Sequence, residues 1–209
     1  MKTSLKALIY LACGVVVGAA SAQETKVQVG NIDQTQSGQG STQGLDLGNV
    51  KGTGKSNVTV SGNVKQTQDG QLNTQTMGIG NVQGGGQSKV QTQDISQTQS
   101  GVSNTQDMQI GNVDGASGKS YVTVKKVTQG QLGQFNTQKI GVGNAVDGGT
   151  TQVRAGDLKQ TQSGTWNSQD MQIGNAVGAG ASSNVNVGNV TQGQGGQGNT
   201  QRLNVGNAQ

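Results

Sequence analysis

Residues 64–81 read Val64-Lys65-Gln66-Thr67-Gln68-Asp69-Gly70-Gln71-Leu72-Asn73-Thr74-Gln75-Thr76-Met77-Gly78-Ile79-Gly80-Asn81. Up to Gly70 the run has a period of two. Val64, Gln66 and Gln68 share one parity; Lys65, Thr67 and Asp69 share the other. That is the period of a strand, whose successive side chains point to opposite faces. After Gly70 the parity slips by one, and Asn73, Gln75, Met77 and Ile79 alternate with Thr74, Thr76 and Gly78. The run predicts a strand, a corner and a second strand, each arm carrying amides and aliphatics on one face. Gly80-Asn81 closes it with the two residues that adopt positive φ at least cost.

The same unit recurs six times, starting at Val27, Val58, Val90, Val122, Val153 and Val185, with residues 23–26 as a short leading segment. One glutamine marks the period: Gln34, Gln66, Gln97, Gln129, Gln160 and Gln192, in steps of 32, 31, 32, 31 and 32 residues. Two residues on stand Gln36, Gln68, Gln99, Gln131, Gln162 and Gln194. The corner glycines follow at Gly38, Gly70, Gly101, Gly133, Gly164 and Gly196. Three further on are Asn73, Asn104, Asn136, Asn167 and Asn199, with Ser41 in the first copy. A third glutamine set, Gln43, Gln75, Gln106, Gln138, Gln169 and Gln201, precedes paired apolar residues such as Met108 and Ile110. A flexible linker has no need to hold register over six copies, whereas a stacked repeat does.

These observations predict an all-β fold: an amyloid-like β-solenoid of six stacked strand-turn-strand rungs, each of 31–32 residues. Equivalent residues of successive rungs then stand about 4.8 Å apart. Aliphatics form apolar columns, and inward Gln and Asn form ladders in which each amide donates to the next. The corner glycines turn the chain. The Val-x-Val opening of each unit is expected to add a short third strand, and one extra residue between Val60 and Val64 is expected to form a bulge. Phe135 and Trp166 share the corner position of Leu72 and are expected at exposed tips.

Composition agrees. The chain has 209 residues with 37 Gly, no Pro, 32 Gln and 18 Asn, and only 29% of it is apolar. A globular domain has close to half its residues apolar, so a conventional core is out of reach. Amide hydrogen bonds must carry what apolar burial cannot. Absence of Pro fits, since Pro removes a ladder donor.

The run Gln-x-Gly-x-x-Asn resembles the repeat of the curlin family, the subunits of curli fibres. It stands here as Gln68 to Asn73, Gln99 to Asn104, Gln131 to Asn136, Gln162 to Asn167 and Gln194 to Asn199. The resemblance implies a strand-turn-strand rung, secretion through an outer-membrane pore, a nucleator subunit as partner, and assembly into biofilm amyloid.

Residues 1–22 read as a secretory signal peptide: Lys2 and Lys6, the apolar run Leu8 to Val17, then Ala20-Ser21-Ala22 as a small-residue cleavage site. A lipoprotein reading of Cys13 is disfavoured by Tyr10, where an aliphatic residue is usual. Cys13 is the sole cysteine, so the mature chain holds no thiol. The localisation expected is extracellular or at a bacterial cell surface, reached through the periplasm. No later run is long and apolar enough for a membrane helix.

Chemistry is sparse. There is no His, Glu24 is the only Glu, and the nine Asp do not recur as facing pairs. The chain is therefore not expected to be an enzyme, and no catalytic residue, metal site or cofactor is assigned. Without Lys2 and Lys6, 12 basic residues face 10 acidic ones, scattered singly apart from Lys125-Lys126. No basic stripe is apparent along the sequence, and no nucleic-acid partner is expected. Stacked Thr could order ice, but only one Thr recurs per unit. No polar cap is evident at either end of the repeats, so self-association into a homopolymer is expected. The alternatives are a monomeric secreted β-solenoid adhesin or surface-binding module, and a disordered matrix polymer.

Overall fold

The computed structural model describes residues 24–52, 54–84, 86–115 and 118–209. The expected signal peptide, residues 1–22, lies outside the described residues, as does Gln23. The fold is a β-solenoid in which every ladder is parallel and pairs one copy of the repeat with the next.

Sheet I contains the first part of each unit. Its strands run Glu24–Gln36, Gly54–Gln71 and Gly86–Val102, then as pairs: Gly118–Ser120 with Thr123–Gln134, Thr150–Val153 with Gly156–Thr165, and Ser182–Val185 with Thr191–Gln194. Among the described residues sheet II has six strands: Thr42–Leu47, Thr74–Ile79, Thr105–Ile110, Thr137–Val142, Ser168–Ile173 and Thr200–Val205. Among the same residues sheet III has five two-residue strands: Val50–Lys51, Val82–Gln83, Val113–Asp114, Ala145–Val146 and Ala176–Val177.

The register is the one the repeat dictates. Val27 pairs with Val58, Val58 with Val90 and Val153 with Val185. Gln66 pairs with Gln97, and Gln129 with both Gln97 and Gln160. The register shifts between Val60 and Val64, where the extra residue was expected to bulge. The leading segment is already on the ladder, since Glu24 pairs with Lys55.

The third strand differs from expectation. The Val-x-Val opening belongs to sheet I, whereas sheet III lies after the Gly-Asn turn, where a loose connection was expected. Val82 and Val113 are buried there beside Ala145, opposite Gly54, Gly86 and Gly118, where any Cβ would overlap them. Sheet I itself bends. Asp94, Lys126, Asp157 and Asn189 have φ of 54°, 62°, 45° and 51°. Each directly precedes the aliphatic Ile95, Val127, Leu158 or Val190. The bend divides sheet I into an amino-proximal limb, holding Val58 and Val90, and a carboxy-proximal limb, holding the paired glutamines.

One apolar core runs the length of the stack between sheets I and II. Its columns include Val58, Val90, Val122 and Val153 on one side and Ile79, Ile110, Val142 and Ile173 on the other, all 0–1% exposed. Stacking buries each aliphatic against the rungs above and below, which one rung could not do alone.

Candidate functional site

The feature with chemistry to offer is the set of buried amides. Gln66, Gln97, Gln129 and Gln160 are fully buried, as are Gln75, Gln106 and Gln138. A buried amide costs about 1–3 kcal/mol when its groups are unpaired, so the partners decide whether these residues stabilise the stack.

The column at the start of sheet II is complete. Gln43 donates from Nε2 to Oε1 of Gln75 at 3.0 Å, Gln75 to Gln106 at 2.8 Å, Gln106 to Gln138 at 2.8 Å, Gln138 to Gln169 at 2.8 Å and Gln169 to Gln201 at 2.9 Å. Three of them also donate across the core to sheet I carbonyls: Gln43 to Thr35, Gln75 to Thr67 and Gln106 to Thr98, at 3.0–3.1 Å.

The second expected column holds from Gln68 onward. Gln68 donates to Gln99, Gln99 to Gln131, Gln131 to Gln162 and Gln162 to Gln194, at 3.0–3.1 Å. Gln36 falls outside it, because its Nε2 donates to the Ser41 carbonyl.

The first expected column is only half formed. Gln34 donates to Gln66 at 2.7 Å, Gln66 to Gln97 at 3.0 Å and Gln97 to Gln129 at 3.5 Å. There it stops. The Gln129 Nε2 and both amide atoms of Gln160 and Gln192 are buried without a hydrogen bond. Gln129, Gln160 and Gln192 thus stack in register but do not continue the ladder.

The asparagines work differently from expectation. Asn73, Asn104, Asn136, Asn167 and Asn199 make no side-chain ladder; they pin backbone to backbone. Asn104 donates from Nδ2 to Ser100 O of its own rung at 3.2 Å and to Gly133 O of the next at 2.8 Å. Its Oδ1 accepts the Asn136 backbone N–H at 3.0 Å. Asn136 and Asn167 repeat the pattern. An Asn side chain is one methylene shorter than Gln, and at the corner its amide lies against main chain rather than its neighbour's amide.

The corner glycines are forced. Gly70, Gly101, Gly133, Gly164 and Gly196 have φ of 114°, 122°, 124°, 112° and 96°. A Cβ on Gly70, Gly101, Gly133 or Gly164 would overlap the carbonyl oxygen of the glycine one rung on. Leu72, Ser103, Phe135 and Trp166 follow in the left-handed region at 53–61°. Leu72, Phe135 and Trp166 are exposed, and the Phe135 and Trp166 rings stack at 4.4 Å.

Two further columns escaped the sequence reading. Each Gly-Asn turn carries a ladder: the backbone N–H of Asn49, Asn81, Asn112, Asn144 and Asn175 donates to Oδ1 of the next turn asparagine at 2.8–2.9 Å. Beneath it, the hydroxyls of Ser56, Ser88 and Ser120 donate at 2.6 Å to Gly80, Gly111 and Gly143, and Thr151 and Ser183 bond to Gly174 and Gly206 likewise. The signal was a hydroxyl residue two before each unit's first Val.

Among the described residues no group of His, Cys, Asp or Glu could hold a metal ion, and no helix is long and apolar enough to cross a membrane. This arrangement binds strand to strand. The class defined by fold and site is a parallel β-solenoid with polarised amide columns. No family model, no curated protein and no solved structure matches the chain.

Proposed function

We propose that the chain is the structural subunit of an extracellular, self-assembling amyloid-type fibre, serving a biofilm matrix or adhesion and acting without catalysis. The observation that carries this reading is the polarity of the stack. Every inter-rung glutamine bond runs from Nε2 of one rung to Oε1 of the next toward the C-terminus. Gln201 therefore presents donors at one end and Gln43 an acceptor at the other. Among the described residues the outer edges of Thr42–Leu47 and Thr200–Val205 pair with no other strand. An open parallel edge is a template for another chain. A second copy stacked head to tail continues the sheets and meets donors with acceptors; head-to-head stacking sets like against like.

The curlin resemblance supports the same reading, and with it secretion across an outer membrane through a dedicated pore and nucleation by a related subunit. The experiment is assembly of the purified chain followed by sedimentation and thioflavin fluorescence. Fibrils that seed fresh protein are the expected result. Protein that stays soluble and monomeric for days at high concentration contradicts the reading and leaves the monomeric adhesin.

A further inference from the structure

Charges scattered along the sequence are gathered by the fold. The outer surface of the amino-proximal limb of sheet I carries cations in each of its first five rungs: Lys26, Lys55, Lys89, Lys119 together with Lys125, and Arg154, all exposed. The register staggers them. Lys55 stands in a column with Glu24, Gln87 and Lys119, while Lys26 and Lys89 share the adjacent column with Asn57. Among the described residues Glu24 is the one acid on this limb before the bend, and Asp94 and Asp157 stand exposed at the bend itself. The other faces are mixed. Asp107, Lys139, Asp170 and Arg202 alternate in sign on sheet II, and Asp33, Lys65, Asp69 and Lys159 share the carboxy-proximal limb.

The rest of this surface is amide and hydroxyl. At its centre a recess of about 240 Å³ is lined by Lys89, Tyr121, Gln152 and Arg154 among others. Tyr121 is 38% exposed there, and its hydroxyl donates to Gln87 Oε1 at 3.2 Å. A ring between two cations, on a flat surface of amides, suits a chain of sugars: ring faces pack on the Tyr, hydroxyls bond to amides and carboxylates pair with cations.

We propose that this face binds a linear acidic polysaccharide, with one carboxylate per sugar. Projected on the stack axis, successive rungs advance by about 4.8 Å, close to the length of one sugar, and the stagger sets the cations alternately to either side of that line. Duplex DNA carries a charge every ~1.7 Å, far denser than these cations, and single strands bind through stacked aromatics that this face lacks apart from Tyr121. Binding requires no fibre, so the inference stands apart from the assembly reading.

The test is binding of polygalacturonate to the immobilised full chain over a series of salt concentrations, with fully methyl-esterified polygalacturonate and duplex DNA as comparison polymers. Polygalacturonate should bind at low salt and weaken steadily as salt rises. The neutral ester should not bind, and DNA should be weaker at equal charge concentration. Replacing Lys55, Lys89, Lys119 and Arg154 with Gln should weaken binding by about ten-fold or more. Replacing Lys65, Lys139, Lys159 and Arg202 with Gln removes the same charge elsewhere and should change it by less than about two-fold. Circular dichroism checks both variants, and the polymer comparison stands even if a variant misfolds. Equal loss in the two variants, equal binding of ester or DNA, or no binding at low salt overturns the proposal.

Discussion

Gln106 and Gln160 are equally buried and oppositely placed. Gln106 accepts from Gln75, donates to Gln138 and donates to the Thr98 carbonyl. Gln160 has no partner at either amide atom. Gln106→Ala strands the groups that faced it and should destabilise the chain by about 2–3 kcal/mol. Gln160→Met removes two unpaired polar atoms at nearly constant volume and should be neutral or stabilising. Guanidinium unfolding midpoints separate the two, and equal losses would mean that burial rather than bonding governs these columns. The sequence shows the facing of each glutamine, because alternation decides it. It does not show whether a column closes. Gln129 and Gln160 obey the same pattern as Gln106, yet the side-chain geometry between adjacent rungs leaves the Gln129 Nε2 and both amide atoms of Gln160 unbonded.

At the level of corners and strands, Gly101 and Gly195 make a useful contrast. Gly101 has φ of 122° and no room for a Cβ against the next rung. Gly101→Ala should cost about 3 kcal/mol or more by combining strain with a clash. A Cβ on Gly195 meets only Ser163 Oγ at 3.4 Å, so Gly195→Ala should stay within about 0.5 kcal/mol. Thermal unfolding of the two variants checks both values. On sheet II, Lys139 stands in register between Asp107 and Asp170, and Arg202 pairs with Asp170 at 3.6 Å. Lys139→Asp would set three acids in line and should lower Tm, with the deficit shrinking as salt is added. A deficit independent of salt would show that packing rather than charge is responsible. The Gly70-type corner was legible because a parity slip and a glycine coincide. The bend of sheet I was hidden by Lys126: Asp94, Asp157 and Asn189 are types that tolerate positive φ, but Lys126 interrupts the series, and the position before an aliphatic is all that the four share. Sheet III was equally hidden, being two residues long in each rung.

For the whole molecule, the repeat period carried most of the architecture. Steps of 31 and 32 residues place equivalent residues on adjacent rungs, and the apolar columns and amide ladders follow from that stacking. The basic face was not legible: Lys26, Lys55, Lys89, Lys119 and Arg154 are far apart in sequence, and only the register of sheet I brings them to one surface. The stack is open at both outer edges of the described residues, with glutamine donors at one end and acceptors at the other. Electron cryo-microscopy of the purified chain after prolonged incubation tests this most directly. Filaments are expected whose strands lie perpendicular to the axis, with rungs every ~4.8 Å and successive molecules stacked head to tail in one polarity. Isolated particles only, or filaments whose molecules join head to head, would contradict it.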